Sequence, residues 1–132
     1  MTPEAFMVSV KRTEQMDLGA IAERLGNVDT IRLLHAAIGL STESGELQDQ
    51  VKRHLFYGKS LDRVNLIEEI GDVLWYAAVA LMAVGSSFEA AMQANAAKLQ
   101  KRYAAGFSET EAVGRDLDAE RQALEEHAAI PL

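Results

Sequence analysis

Leu33, Ala37, Leu40, Leu47, Val51 and Leu55 fall on one side of a helix wound at about 3.6 residues per turn. The pattern predicts a helix from Asp29 or Thr30, both suitable caps, to about Leu55. The stretch FYGKS, Phe56 to Ser60, interrupts the repeat with Gly58, and Asp62 can cap a second helix beyond it. That helix is expected over Asn65 to Val84, with Leu66, Ile70, Val73, Ala77 and Leu81 as its core side. A short loop between two such helices implies an antiparallel hairpin. Gly85 ends the second helix, and Ser86 or Ser87 caps another from about Phe88 to Tyr103.

The flanks are less regular. Thr2 before Pro3 suits a helix start, with Phe6, Val10 and Met16 as a thin stripe running to about Gly19. Ile21 to Asn27 continues that helix or forms a connecting turn. Beyond Gly106, Ser108 and Glu111 have capping-box spacing, and Leu117 and Leu124 lie two turns apart. Gly114 weakens this segment and Pro131 closes it, so it reads as a peripheral helix or arm docking through a narrow leucine stripe. No strand alternation stands out. The expectation is an all-α antiparallel helix bundle forming a single domain over 1–132, with a core over about 28–105 and an arm over about 106–132.

Composition agrees with a helical reading: 48% hydrophobic residues, few aromatics and two prolines. A net charge of −7 opposes nonspecific nucleic-acid binding, so no nucleic-acid partner is expected. The absence of cysteine excludes disulfides and thiolate chemistry, and no basic segment leads into an apolar run at the N-terminus, which suggests a cytoplasmic protein. Val73 to Val84 is apolar for twelve residues, short of the roughly 20 needed to span a bilayer. It reads as a buried helix and not a membrane anchor. A helix apolar almost all round in so small a chain predicts self-association, as a homodimer or a dimer of dimers.

The chemistry lies on either side of the hairpin loop, where Glu43 pairs with Glu46 and Glu69 pairs with Asp72. Residues three apart on a helix sit one turn on and roughly 60° round, so each pair aims two carboxylates at one region. Four unpaired carboxylates facing each other would repel and hold protons unless a cation sits between them. Oxygen donors without His or Cys suit Mg²⁺ or Mn²⁺ better than Zn²⁺. A di-iron carboxylate bundle would want Glu-x-x-His on two helices, and the chain contains no such spacing.

Two further groups are candidates for binding substrate. His35, Gly39 and Thr42 lie nearly in line with Glu46, leaving space for a ligand along that face; the alternative is that Gly39 permits close helix packing and His35 is a boundary residue. Asn95, Lys98 and Arg102 recur at intervals of three and four and offer an amide, an ammonium and a guanidinium suited to phosphate oxygens, or else form a solvated face.

TESGEL (Thr42 to Leu47), EEIGDVLWY (Glu68 to Tyr76) and NAAKLQKRY (Asn95 to Tyr103) together resemble the MazG-like all-α nucleoside triphosphate pyrophosphohydrolases over about residues 30 to 108. The resemblance implies a four-helix core and an enzyme that binds Mg²⁺ or Mn²⁺ and cuts a nucleoside triphosphate to a monophosphate and pyrophosphate. It implies Glu43, Glu46, Glu69 and Asp72 as metal ligands, with Asn95, Lys98 and Arg102 near the substrate. Glu43 or Glu46 would orient or deprotonate the attacking water. Some relatives carry a further Glu directly before the first pair, where this chain has Thr42. Relatives include broad triphosphate-cleaning enzymes, dUTP and dCTP enzymes, and phage enzymes directed at guanine nucleotides. The alternative is a helical interaction module that keeps the fold without the activity.

Overall fold

The computed structural model describes residues 1–128, which form seven helices and no strand. They are α1 (Pro3–Thr13), α2 (Leu18–Leu25), α3 (Val28–Tyr57), α4 (Arg63–Ala83), α5 (Phe88–Arg102), α6 (Glu109–Val113) and α7 (Leu117–His127). Packing falls into two pairs: α3 lies along α4, and α5 lies along α7, with α2 touching α3 lightly. Among the described residues no single helix is long and apolar enough to cross a membrane.

Local chemistry explains where the long helices begin and end. The Asn27 side chain accepts the backbone N–H groups of Asp29 (2.9 Å) and Thr30 (3.1 Å), satisfying two otherwise orphaned donors and starting α3 slightly before the expected caps. At the other end Gly58 adopts φ 64°, the left-handed conformation that closes a helix, and its N–H bonds the Arg53 carbonyl. Asp62 then caps α4 through the N–H groups of Val64 (3.0 Å) and Asn65 (3.1 Å). A five-residue link with a strong stop and a strong start makes the antiparallel hairpin the local solution.

The two hairpin helices meet closely because one presents small residues. Ala36 is wholly buried, and Gly39 is buried directly against the Tyr76 ring of α4. A Cβ at position 39 would overlap that ring. One turn further along, the same seam carries Glu43, Glu69 and Asp72.

The second pair is built differently. Ala90, Ala94 and Ala123 are buried and let the helices approach, and Glu120 is 3% exposed beneath two arginines. Arg102 donates to both Glu120 oxygens at 2.8 and 2.7 Å, and Arg115 adds bonds at 3.3 and 2.6 Å. Ser86 Oγ donates to the Ala128 carbonyl (3.2 Å), tying the end of α7 to the start of α5.

Several sequence expectations change. The N-terminal helix to about Gly19 is two helices, because the chain leaves helical geometry at Glu14 and Asp17 recaps it by accepting the Ala20 N–H. The arm is split after Gly114 into α6 and α7. It docks through Glu120 and Ala123 with Leu124 partly buried beside them, while Leu117 is largely exposed. The closing role of Pro131 lies outside the described residues. A single chain also does not close into a four-helix bundle: α4 and α5 are bent by 94° at their junction, and no large side chain among the described residues is fully buried.

The Arg102–Glu120–Arg115 cluster predicts an acid-sensitive joint. Its two guanidinium groups hold the Glu120 carboxyl well below the ordinary value of 4.5. A depressed folded pKa means that the stabilisation is complete above the unfolded value and is lost as pH falls below it. Glu120→Ala, which leaves two arginines without their carboxylate, should lower the melting temperature at pH 7 and speed proteolysis near α7. The difference from the parent protein should shrink below about pH 4.5, as a thermal melt series across pH would show.

Candidate metal centre

Glu43 projects from α3, and Glu69 and Asp72 project from α4, so that one oxygen of each lies within 4.8 Å of the other two. Glu69 is buried, Glu43 partly buried and Asp72 exposed, giving a cluster closed at its floor and open to solvent on one side. Two of these residues come from the Glu69/Asp72 pair and one from the Glu43/Glu46 pair. Glu46 stands beside the three as an exposed side chain. The charges of Glu69 first and Glu43 second, then partial desolvation, Asp72 and Glu68, push its carboxyl above the ordinary 4.5.

Neighbouring groups orient the carboxylates. The Thr42 hydroxyl lies 3.1 Å from Glu43 Oε1 and 2.9 Å from the Gly39 carbonyl, and its single proton can serve either. Asn65 donates through Nδ2 to Glu69 Oε1 at 2.9 Å and lies 3.3 Å from Glu68 Oε2. The sequence pattern does not single out Asn65. Its position four residues before Glu69 is the available signal, since i and i+4 side chains meet on a helix.

The face of His35, Gly39 and Thr42 looks different from its sequence reading. The clearance expected at Gly39 is filled by the Tyr76 ring, in keeping with the close-packing alternative. His35, Trp75 and Tyr76 form an edge-to-face cluster with ring centroids 4.9 to 6.4 Å apart. His35 and Trp75 are exposed, so the cluster presents aromatic surface about one helical turn from the carboxylates.

The basic row is not brought to the carboxylates within one chain. Asn95 and Lys98 bond each other at 2.7 Å on α5, which packs on α7 rather than on the hairpin. Arg102 is committed to Glu120, so its guanidinium faces an internal carboxylate. Periodicity carried no information about Glu120, eighteen residues beyond Arg102.

The donor set fits a hard divalent cation. An ion such as Mg²⁺ holds oxygens at about 2.1 Å, which sets neighbouring ligands roughly 3–4 Å apart, so small side-chain adjustments would close the cluster around it. Asn65, which holds Glu69 through its NH₂ group, has a buried Oδ1 without a hydrogen-bond partner among the described residues. Without a cation, three like charges share the seam with nothing positive among the groups described around them.

An all-helical chain with a carboxylate cluster suited to a hard divalent cation is the class that this fold and site define. Its family follows from the sequence model for the MazG nucleotide pyrophosphohydrolase domain, which matches residues 30–107 and so takes in both acidic pairs and the Asn95–Arg102 row. The chain belongs to that family. No curated protein and no solved structure matches it significantly.

The cluster predicts stabilisation by metal. Mn²⁺ or Mg²⁺ at one hundred times its dissociation constant should add roughly 2.7 kcal/mol to the folding free energy, seen as a rise in melting temperature. A carboxylate whose folded pKa is raised weakens the fold when ionised, so the metal-free protein gains stability as pH falls through that raised value. Protons and metal compete for the same oxygens, and the metal-induced rise should therefore diminish as pH falls from 7 toward 5. Glu69→Gln should remove most of it at every pH.

Proposed function

We propose that the chain is a metal-dependent nucleoside triphosphate pyrophosphohydrolase, releasing a monophosphate and pyrophosphate by attack of water at the α-phosphorus. Family membership supports nucleotide pyrophosphohydrolase activity in general. The observation that carries the finer reading is the convergence of Glu43, Glu69 and Asp72 from the two motifs onto one point.

A divalent cation supplies Lewis acidity and charge neutralisation for phosphate oxygens, and makes a bound water more acidic. Glu43, Glu69 and Asp72 would hold it. Glu46 lies exposed beside these carboxylates, which places it to accept the proton of the attacking water. Thr42, in the place where some relatives have a further glutamate, orients Glu43 through its hydroxyl. His35, Trp75 and Tyr76 offer a stacking surface for the base, next to Gly39, whose missing side chain lets Tyr76 settle into the seam.

Self-association completes this reading. Ile31, Leu34 and Ile38 on α3 are 51, 48 and 56% exposed, and Ile67, Ile70 and Leu74 on α4 are 72, 48 and 52% exposed. Each trio follows the spacing of one helix face, pointing away from the seam. A second copy packed on these faces would bury them and turn two hairpins into a four-helix bundle, as a homodimer or the core of a dimer of dimers. It would also let the Asn95 and Lys98 of one copy approach the carboxylates of the other.

The test is a screen of ribo- and deoxynucleoside triphosphates, guanine nucleotides included, with Mg²⁺ and Mn²⁺. Expected products are the monophosphate and pyrophosphate, with ¹⁸O from labelled water in the monophosphate. Glu43→Gln and Glu69→Gln should each lower kcat/KM by at least about a hundredfold. Release of a diphosphate and inorganic phosphate, or label in the pyrophosphate, would contradict the reaction. Light scattering at micromolar concentration should give a dimer or larger, and Ile38→Asp should shift it toward monomer with loss of activity.

A further inference from the structure

Asn65 occupies the first turn of α4, three residues after the Asp62 cap, and its backbone N–H is already bonded to that cap. Its side chain is therefore free of any capping duty. It turns forward instead, to the carboxylate of Glu69, the most buried member of the cluster. Among the described residues this is the one protein hydrogen bond that the Glu69 carboxylate receives.

The orientation of the amide is dictated by its neighbours. Glu68 and Glu69 both present acceptor oxygens, so the NH₂ end must face them; the opposite orientation would set the amide oxygen against a carboxylate. With the donors used in this way, Oδ1 points elsewhere. It is buried and has no hydrogen-bond partner. Buried polar oxygens in native proteins nearly always find a donor, and an orphan calls for a specific explanation. No donor among the described residues reaches it.

We infer that Asn65 is a positioning residue of the metal centre: its NH₂ group fixes the Glu69 carboxylate, and its orphan Oδ1 accepts a hydrogen bond from a water carried in by the bound cation. The inference rests on the metal reading of the cluster. A hard cation that keeps several waters brings strongly polarised O–H donors to the site. Groups standing behind first ligands in this manner set ligand orientation and basicity, and their removal commonly weakens metal binding about 10- to 100-fold.

The test measures Mn²⁺ affinity directly, by electron paramagnetic resonance titration of the full chain, with Mn²⁺ alone as the probe. Asn65→Leu preserves much of the side-chain volume without its polar atoms, and Asn65→Ala keeps high helix propensity should the leucine not be accommodated. Each should bind Mn²⁺ about 10- to 100-fold more weakly, with a cooperative metal-free melt showing that the chain still folds. Water-proton relaxation of the bound Mn²⁺ should also change, since a structural role alone would leave the ion's waters untouched. Affinity within twofold of the parent in both variants would overturn the assignment. Glu69→Gln separates the two levels of the claim. If it binds Mn²⁺ as tightly as the parent, the metal reading fails and the role of Asn65 fails with it; if it alone loses binding, only the role of Asn65 falls.

Discussion

Like charges packed where two helices ought to touch through apolar side chains are the constraint on which this structure turns. Unit charges about 4 Å apart repel by roughly 4 kcal/mol at an effective dielectric near 20, and water cannot fully screen a carboxylate that the helices enclose. Glu69 is 5% exposed, with Glu43 and Asp72 beside it. The hairpin tolerates this because the surrounding geometry is strongly determined: Asn27, Gly58 and Asp62 set its ends, and Ala36, Gly39 and Tyr76 bring its helices together next to the charges. A cation held there would turn the repulsion into attraction and couple the site to the fold.

That choice of seam shapes the rest of the chain. With carboxylates on the inner face, Ile31, Leu34 and Ile38 of α3 and Ile67, Ile70 and Leu74 of α4 look outward, and the described residues of one chain enclose no large side chain completely. The α5/α7 pair solves its own packing without a large apolar core, using buried alanines and one carboxylate shared by two arginines. The same pairing removes Arg102 from the basic row that its helix periodicity suggests, leaving Asn95 and Lys98 on the exposed side of α5. Charge is used differently at two places, balanced internally at Glu120 and left without a protein counter-charge, among the described residues, at Glu69.

The features readable from sequence were those governed by neighbours along the chain. Asp62, Ser87 and Gly58 act at the expected helix ends because capping depends on a few adjacent backbone groups. The hairpin and its facing acidic pairs come from a short loop and helical spacing. What escaped depended on contacts distant in sequence or on fine side-chain geometry. Tyr76 fills the place in front of Gly39, and Glu120 claims Arg102, because each finds its partner on another helix. Asn65 was hidden for another reason: an amide in a first helical turn is ordinary, and its bond to Glu69 and its unpaired buried oxygen show only in the structure. The break between α1 and α2 reflects a weak apolar stripe, whose residues are exposed and exert little hold on the backbone.

If the carboxylates of the α3/α4 seam exist to hold a divalent cation, anomalous scattering from crystals grown with Mn²⁺ tests it most directly. A strong anomalous peak is predicted within coordination distance, about 2.0–2.3 Å, of Glu43, Glu69 and Asp72 oxygens, and it should disappear in Glu69→Gln. A peak elsewhere on the chain, or an empty seam at saturating Mn²⁺, would contradict a metal centre at this seam.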